Sequence, residues 1–230
     1  MSEFDLNLHT ARLLMDEPFF AAISRRIDKR ASFAVPTAGV MVNPDTAQFE
    51  MLYNPEFFAK LTDAERRDVL KHEYYHIVFL HVTDRMPEGV SMKLWNVATD
   101  LAINSHLFNL PEGGLIPGEG MFADLPRGQS AEWYLNNMPD FGKGNGDSGD
   151  SKDESSDSSE DQSGSNGSSS GNEQEQQQQG DGVPDSLDDH SGWGNCSQEV
   201  KEMARERLKD IIKKSAEDCA KNNSWGSVAA

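Results

Sequence analysis

His72, Glu73 and His76, in the run His72-Glu73-Tyr74-Tyr75-His76, have the types and spacing for metal chemistry. On an α-helix, positions four apart lie on one face about one turn from each other. Both imidazoles can therefore aim a ring nitrogen at a single tetrahedral Zn2+. Glu73, one position round, can hold a metal-bound water and take its proton. A lone histidine in a helix is more often a core residue satisfied by hydrogen bonds. Two at this spacing, with a glutamate between them, favour the metal.

The helix that must carry them has a clear start. Thr62 is a good N-cap and Glu65, three residues later, completes a capping box. Asp63 and Glu65 place negative charge at the positive end of the helix dipole. Val69, Leu70, Tyr74, Ile77, Val78 and Leu80 then supply apolar positions at helical spacing, and Pro87 and Gly89 predict a stop shortly after Met86. A helix of roughly twenty residues flanked by apolar groups is buried, and buried charge needs a partner such as a metal. His81, five residues past His76, falls about half a turn away and is expected to face a neighbouring element or solvent.

A catalytic zinc takes three protein ligands and keeps one position for water. The extended metzincin pattern needs glycine where Phe79 stands and histidine where Val82 stands, so that subclass is excluded. A better third ligand lies in a second helix, Leu94–Asn104, whose apolar face is Trp95, Ala98, Ala102 and Ile103. Asn96, Asp100 and Asn104 form a polar stripe along it, a carboxylate flanked by two amides, as an oriented ligand with hydrogen-bonded support would be. Asp100 is the predicted ligand. His106 is the first rival, although it projects well away from Asp100 around the same helix, and His190 is the second.

These stretches resemble a family of metallopeptidase domains often found in front of von Willebrand factor A-like domains. The resemblance rests on Tyr53-Asn54-Pro55, His72-Glu73-x-x-His76, His81, Arg85, Trp95-Asn96-x-Ala98-x-Asp100-x-x-Ile103-Asn104 and Gly128-x-Ser130-Ala131-Glu132. It covers about the first 140 residues and resumes near Asp188-Asp189-His190. It implies an α+β, minimal zincin-like fold with Asp100 where a ligand is expected, and an A-like or ATPase partner. No A-like domain follows within the 230 residues. In zincins a strand beside the active-site helix forms an edge for extended substrate, and by resemblance Phe49–Tyr53 could be that strand.

The expected metallopeptidase domain spans residues 1–140. Residues 5–30 read as helical, with Pro18 starting a second helix. Gly39–Val42 and Gln48–Tyr53 read as two strands around the turn Asn43-Pro44-Asp45-Thr46. A Gly/Pro-rich loop, 111–128, could fold over the cleft, and Ser130 caps a short helix, Ala131–Asn137. Residues 141–187 are then rich in Ser, Gly, Asp, Glu and Gln and nearly free of apolar residues, the composition of a disordered acidic linker. The last segment, 188–230, holds an amphipathic helix capped by Ser197, with Val200, Met203, Ala204, Leu208, Ile211, Ile212 and Cys219 at helical spacing. It is expected to pack back on the first domain. Ser224–Ala230 reads as the beginning of a further element. His190 is a candidate catalytic donor to a tetrahedral oxyanion, oriented by Asp188 or Asp189.

The net charge of −18 is concentrated in residues 140–190, which hold 14 acidic and 2 basic residues. An acidic chain argues against nucleic-acid binding. No apolar leader or 18-residue apolar run predicts export or a membrane span. Cys196 and Cys219, too far apart along one helix to bridge, read as free thiols of a cytoplasmic protein. Three functions compete: a zinc metallopeptidase acting on peptide or protein, a non-catalytic metal-stabilised binding module, and a zinc hydrolase of non-peptide amides. Glu73 favours the first, because a structural metal site does not require it.

Overall fold

Pro18 and a set of short polar caps punctuate the helices of the chain, one of which is buried on every side through its middle. The protein is seen here in a computed structural model that describes residues 4–83, 85–139, 141, 183–184, 186–188, 190, 192–193, 196–222 and 224–226. The helices are α1 (Leu6–Leu13), α2 (Pro18–Ser24), α3 (Pro55–Lys60), α4 (Asp63–Val78), α5 (Met92–Asn104), α6 (Ala131–Asn137) and α7 (Gln198–Asn222). The strands are β1 (Asp28–Ala31), β2 (Ala38–Val42) and β3 (Phe49–Tyr53). The fold is α+β, as the sequence predicts. The expected linker lies outside the described residues except at 141, 183–184 and 186–187.

The sheet has the order β1-β3-β2, with β1 parallel and β2 antiparallel to β3. Asn43 turns the β2–β3 hairpin by accepting from the backbone amides of Asp45 and Thr46. Two expectations change here. The helical reading of residues 5–30 runs too far, because α2 ends at Ser24 and Asp28–Ala31 pairs with β3 instead. The substrate-edge reading of Phe49–Tyr53 fails as well. β3 is the middle strand, with neighbours on both sides, and the strand that lies against α4 is the edge strand β2.

α4 begins with the predicted capping box, in which Thr62 accepts from the Glu65 amide and Glu65 from the Thr62 amide. Ten consecutive residues, Asp68–Ile77, are buried. The helix is thus enclosed on every side, and each polar group on it must find a partner. Asp68 accepts from the amides of Phe108 and Asn109 at 3.2 and 2.8 Å. Lys71 pairs with Glu17 at 2.9 Å, and the Tyr74 hydroxyl shares a 2.7 Å hydrogen bond with Ser24. The helix ends at Val78 rather than near Met86. Phe79 caps it and Leu80 takes the left-handed conformation (φ 64°), which turns the chain back before Pro87 is reached.

α5 is capped by the Ser91 side chain and packs Trp95, Ala98, Leu101 and Ile103 into the core. α7 buries Ala204, Leu208, Ser215 and Cys219, a stripe at helical spacing that lies toward α2, α4 and β2. Both cysteines are free thiols.

Candidate metal centre

α4 and α5 run close enough for the motif to meet the Asp100 stripe. His72 and His76 present their Nε2 atoms 2.9 Å apart on one face of α4. Asp100 Oδ1, from α5, lies 3.3 Å from His76 Nε2 and 3.7 Å from His72 Nε2. A third element completes the cluster. The segment leading into α7 brings Asp188 Oδ2 to 3.2 Å from His72 Nε2 and 3.3 Å from His76 Nε2. His190 Nε2 sits 2.6 Å from the same Asp188 oxygen and 3.4 Å from His76 Nε2. All five side chains are buried, His76 completely.

These separations suit a cation. Four donors around a tetrahedral zinc, each about 2.0–2.1 Å from it, are about 3.3 Å from one another. One ligand atom from each of His72, His76, Asp100 and Asp188 lies within 4.8 Å of all the others, and most pairs are near that ideal. Two buried oxygens at the cluster also lack hydrogen-bond partners, Asp100 Oδ1 and Glu73 Oε2. Asp100 Oδ1 is close to His76 yet not aligned with it as a hydrogen bond is. An orphaned carboxylate oxygen facing inward-turned imidazoles is what a metal would satisfy, so the residues present fit the group.

The surrounding groups fix the ring orientations. His72 Nδ1 donates to Asn104 Oδ1 at 2.7 Å, and Asn104 in turn donates to the Leu115 carbonyl at 2.8 Å. This leaves Nε2 as the ligating nitrogen. On the far side of His76, Nδ1 lies 3.2 Å from His81 Nδ1. His81 is buried against Trp95 of the neighbouring helix rather than in solvent, the first of the two positions expected for it, and it reaches His76 because α4 has already ended and the left-handed Leu80 folds the chain back. The Ser186 hydroxyl bridges Asp100 Oδ2 and Asp188 Oδ1. Asn104→Leu is expected to weaken metal affinity about 10–100-fold, measured by competition with a chromogenic chelator.

Burial and charge set the protonation of the metal-free cluster. Burial works against the His72 imidazolium, but Asp188, Asp100 and Glu73 outweigh it and push its pKa up to about 10. His190 moves the same way: burial opposes its charge, and Asp188 and Asp100 prevail. His76 is lowered, mainly by burial, as is His81. Burial, then the nearby Asp188 charge, raises the Glu73 carboxyl to about 8. Burial raises Asp188 too, yet the charges of His190 and His72 hold it well below the usual carboxylate range. One cation here would replace several competing protons.

Of the residues the sequence singles out, His72, His76, Asp100 and His190 come together, with Glu73 beside them. His106 does not join them; its partly exposed ring lies against Tyr75, with centroids 6.1 Å apart. Asp189 lies outside the described residues. Asp188 touches the inward Nε2 of His190 rather than its Nδ1, which has no partner. Asp188 therefore stands among the groups that could hold a metal, a place the spacing of the motif could not indicate.

A family model described as a putative metallopeptidase domain matches residues 2–225. Neither a curated protein nor a solved structure matches the chain.

Proposed function

The chain belongs to this putative metallopeptidase domain family, and from that premise we propose that it is a zinc-dependent peptidase whose metal is held by His72, His76 and Asp100. The observation that carries the reading is the buried convergence of those three side chains beside Glu73, whose Oε2 has no partner. The imidazole and carboxylate donors suit zinc. The metal, when bound, supplies Lewis acidity, polarising the scissile carbonyl and acidifying water.

The chain's own residues do the rest. Glu73 accepts the proton of the attacking water and passes it to the leaving amine. His190 donates a hydrogen bond to the oxyanion, supported by the short Nε2 contact it already makes to a negatively charged oxygen, Asp188 Oδ2. Asn104 keeps the His72 ring in place. In this reading residues 1–140 are the peptidase domain, 141–187 a linker and 188–230 a segment that completes the site. The substrate is a peptide or protein, and a von Willebrand factor A-like or ATPase partner directs it. No described helix is long and apolar enough to cross a membrane; a cytoplasmic location, consistent with the free cysteines, is part of the proposal.

A specific observation favours a second reading, a non-catalytic structural site. Four protein donors from His72, His76, Asp100 and Asp188 can fill a tetrahedral metal, as closed structural zinc sites do. Incubation with a mixed peptide pool separates the two. Cleavage is expected, abolished by a chelator and restored by zinc. A metal-loaded protein that leaves the pool intact would sink the peptidase reading.

A further inference from the structure

The segment before α7 crosses the place where a substrate would have to lie. The Thr37 hydroxyl donates to the Leu187 carbonyl. Trp193 Nε1 donates to the Val40 carbonyl at 3.0 Å, and Cys196 Sγ to the Val42 carbonyl at 3.1 Å. Gly192 lies so close to Met41 that a Cβ there would sit 2.9 Å from the Met41 Cβ. The segment thus covers the side of β2 that β3 leaves free, the only β-edge beside α4 among the described residues. An extended peptide pairing with the sheet next to the motif would need that same edge.

The segment also places a carboxylate in the metal position that chemistry needs. Asp188 Oδ2 sits 3.2–3.3 Å from both motif nitrogens and accepts from His190 at 2.6 Å. Hydrolysis of a peptide bond produces a carboxylate whose oxygen must leave from beside the same two histidines. Ser186 fixes the outer oxygen of Asp188 and ties it to Asp100, so the carboxylate is held rather than loosely placed. Trp193, buried with its ring 4.1 Å from that of His190, anchors the far end.

We propose that Ser186–Asp188 is an internal plug, in which the Asp188 carboxylate occupies the product-carboxylate position and keeps the peptidase closed until the segment swings out. The proposal rests on the metallopeptidase reading above. Opening requires release of Ser186 and Asp188 and loss of the Thr37–Leu187 hydrogen bond; His190 keeps its packing against Trp193. A plug closed in about 90–99% of molecules weakens the apparent affinity of anything competing for that position about 10–100-fold.

The test uses the full chain loaded with Co2+, whose visible absorption reports coordination, titrated with acetohydroxamate as a small bidentate metal ligand. Asp188→Asn keeps the side-chain shape but offers a poor ligand. It is expected to retain one metal per chain, to bind acetohydroxamate about 10–100-fold more tightly than the unaltered protein, and to cleave peptides faster. Ser186→Ala, which leaves both carboxylates intact, is expected to shift affinity the same way by less, and it carries the test if Asp188→Asn does not fold. Loss of the metal from Asp188→Asn would make Asp188 a required ligand and overturn the plug. Acetohydroxamate affinity unchanged in both variants would overturn it as well. Tighter acetohydroxamate binding without any peptide cleavage would support the plug and count against the peptidase reading, so the two failures are distinguishable.

Discussion

Glu73→Gln is expected to lower kcat for peptide hydrolysis by about 10²–10⁴-fold while one metal per chain remains bound. The side chain adds no hydrogen bond that the fold depends on at its inner oxygen, since Glu73 Oε2 is buried without a partner. Glutamine has the same length and fits the same space on α4, but it cannot take a proton from water. Elemental analysis and steady-state kinetics on the same preparation check both halves. Full activity in the variant would remove Glu73 from the mechanism; loss of metal would make it a structural support of the site.

The same substitution has an opposite effect on the metal-free protein. In the folded chain the Glu73 carboxyl titrates at about 8, against an ordinary value of 4.5, because burial and then Asp188 disfavour its charge. Between those values the native state holds a proton that the unfolded state has lost, so this group makes stability fall as pH rises through that window. A glutamine avoids the penalty. The metal-free variant is therefore expected to melt higher than the unaltered protein near pH 7, with the gap closing below about pH 4.5.

Removing the metal is expected to have the largest effect on stability. A ligand present at about 1,000 times its Kd stabilises a fold by about 4 kcal/mol, and at this chain length about 1 kcal/mol moves Tm by roughly 2–4 °C. Stripping the metal should thus lower Tm by about 8–16 °C, and adding it back should restore the loss. His76→Ala, at a position with no solvent exposure, should start from the lower Tm and gain nothing from added metal. Thermal melts with and without chelator read both. A Tm indifferent to chelator in the unaltered protein would mean that no metal is held in the cluster.

How far the sequence led depended on distance along the chain. The His72–His76 pair was legible because helical periodicity alone places two rings together. Asp100 was legible from the Asn96–Asp100–Asn104 stripe, whose last member does support His72. Asp188 was legible only as a partner that orients His190, not as a neighbour of the motif nitrogens, since it meets His72 across 116 positions and no periodicity spans that gap. β1 was missed because Asp28-Lys29-Arg30 carries no apolar alternation; its strand character comes from pairing with β3. The end of α4 was missed because Leu80 adopts a left-handed backbone that leucine rarely signals. That one residue brings His81 to the ring of His76, the neighbouring-element alternative of the two the sequence allowed.

The separation of the donors along the chain also orders events during synthesis. His72, His76 and Asp100 come from two helices that contact each other, and they can assemble as soon as α5 has emerged. Asp188 is made 88 residues after Asp100, a delay of about 4–18 s at ordinary rates of translation. For that interval the growing chain carries a three-donor cup with its fourth side open. A metal ion arriving then does not meet Asp188 in its way, whereas one arriving after release must enter past a finished wall.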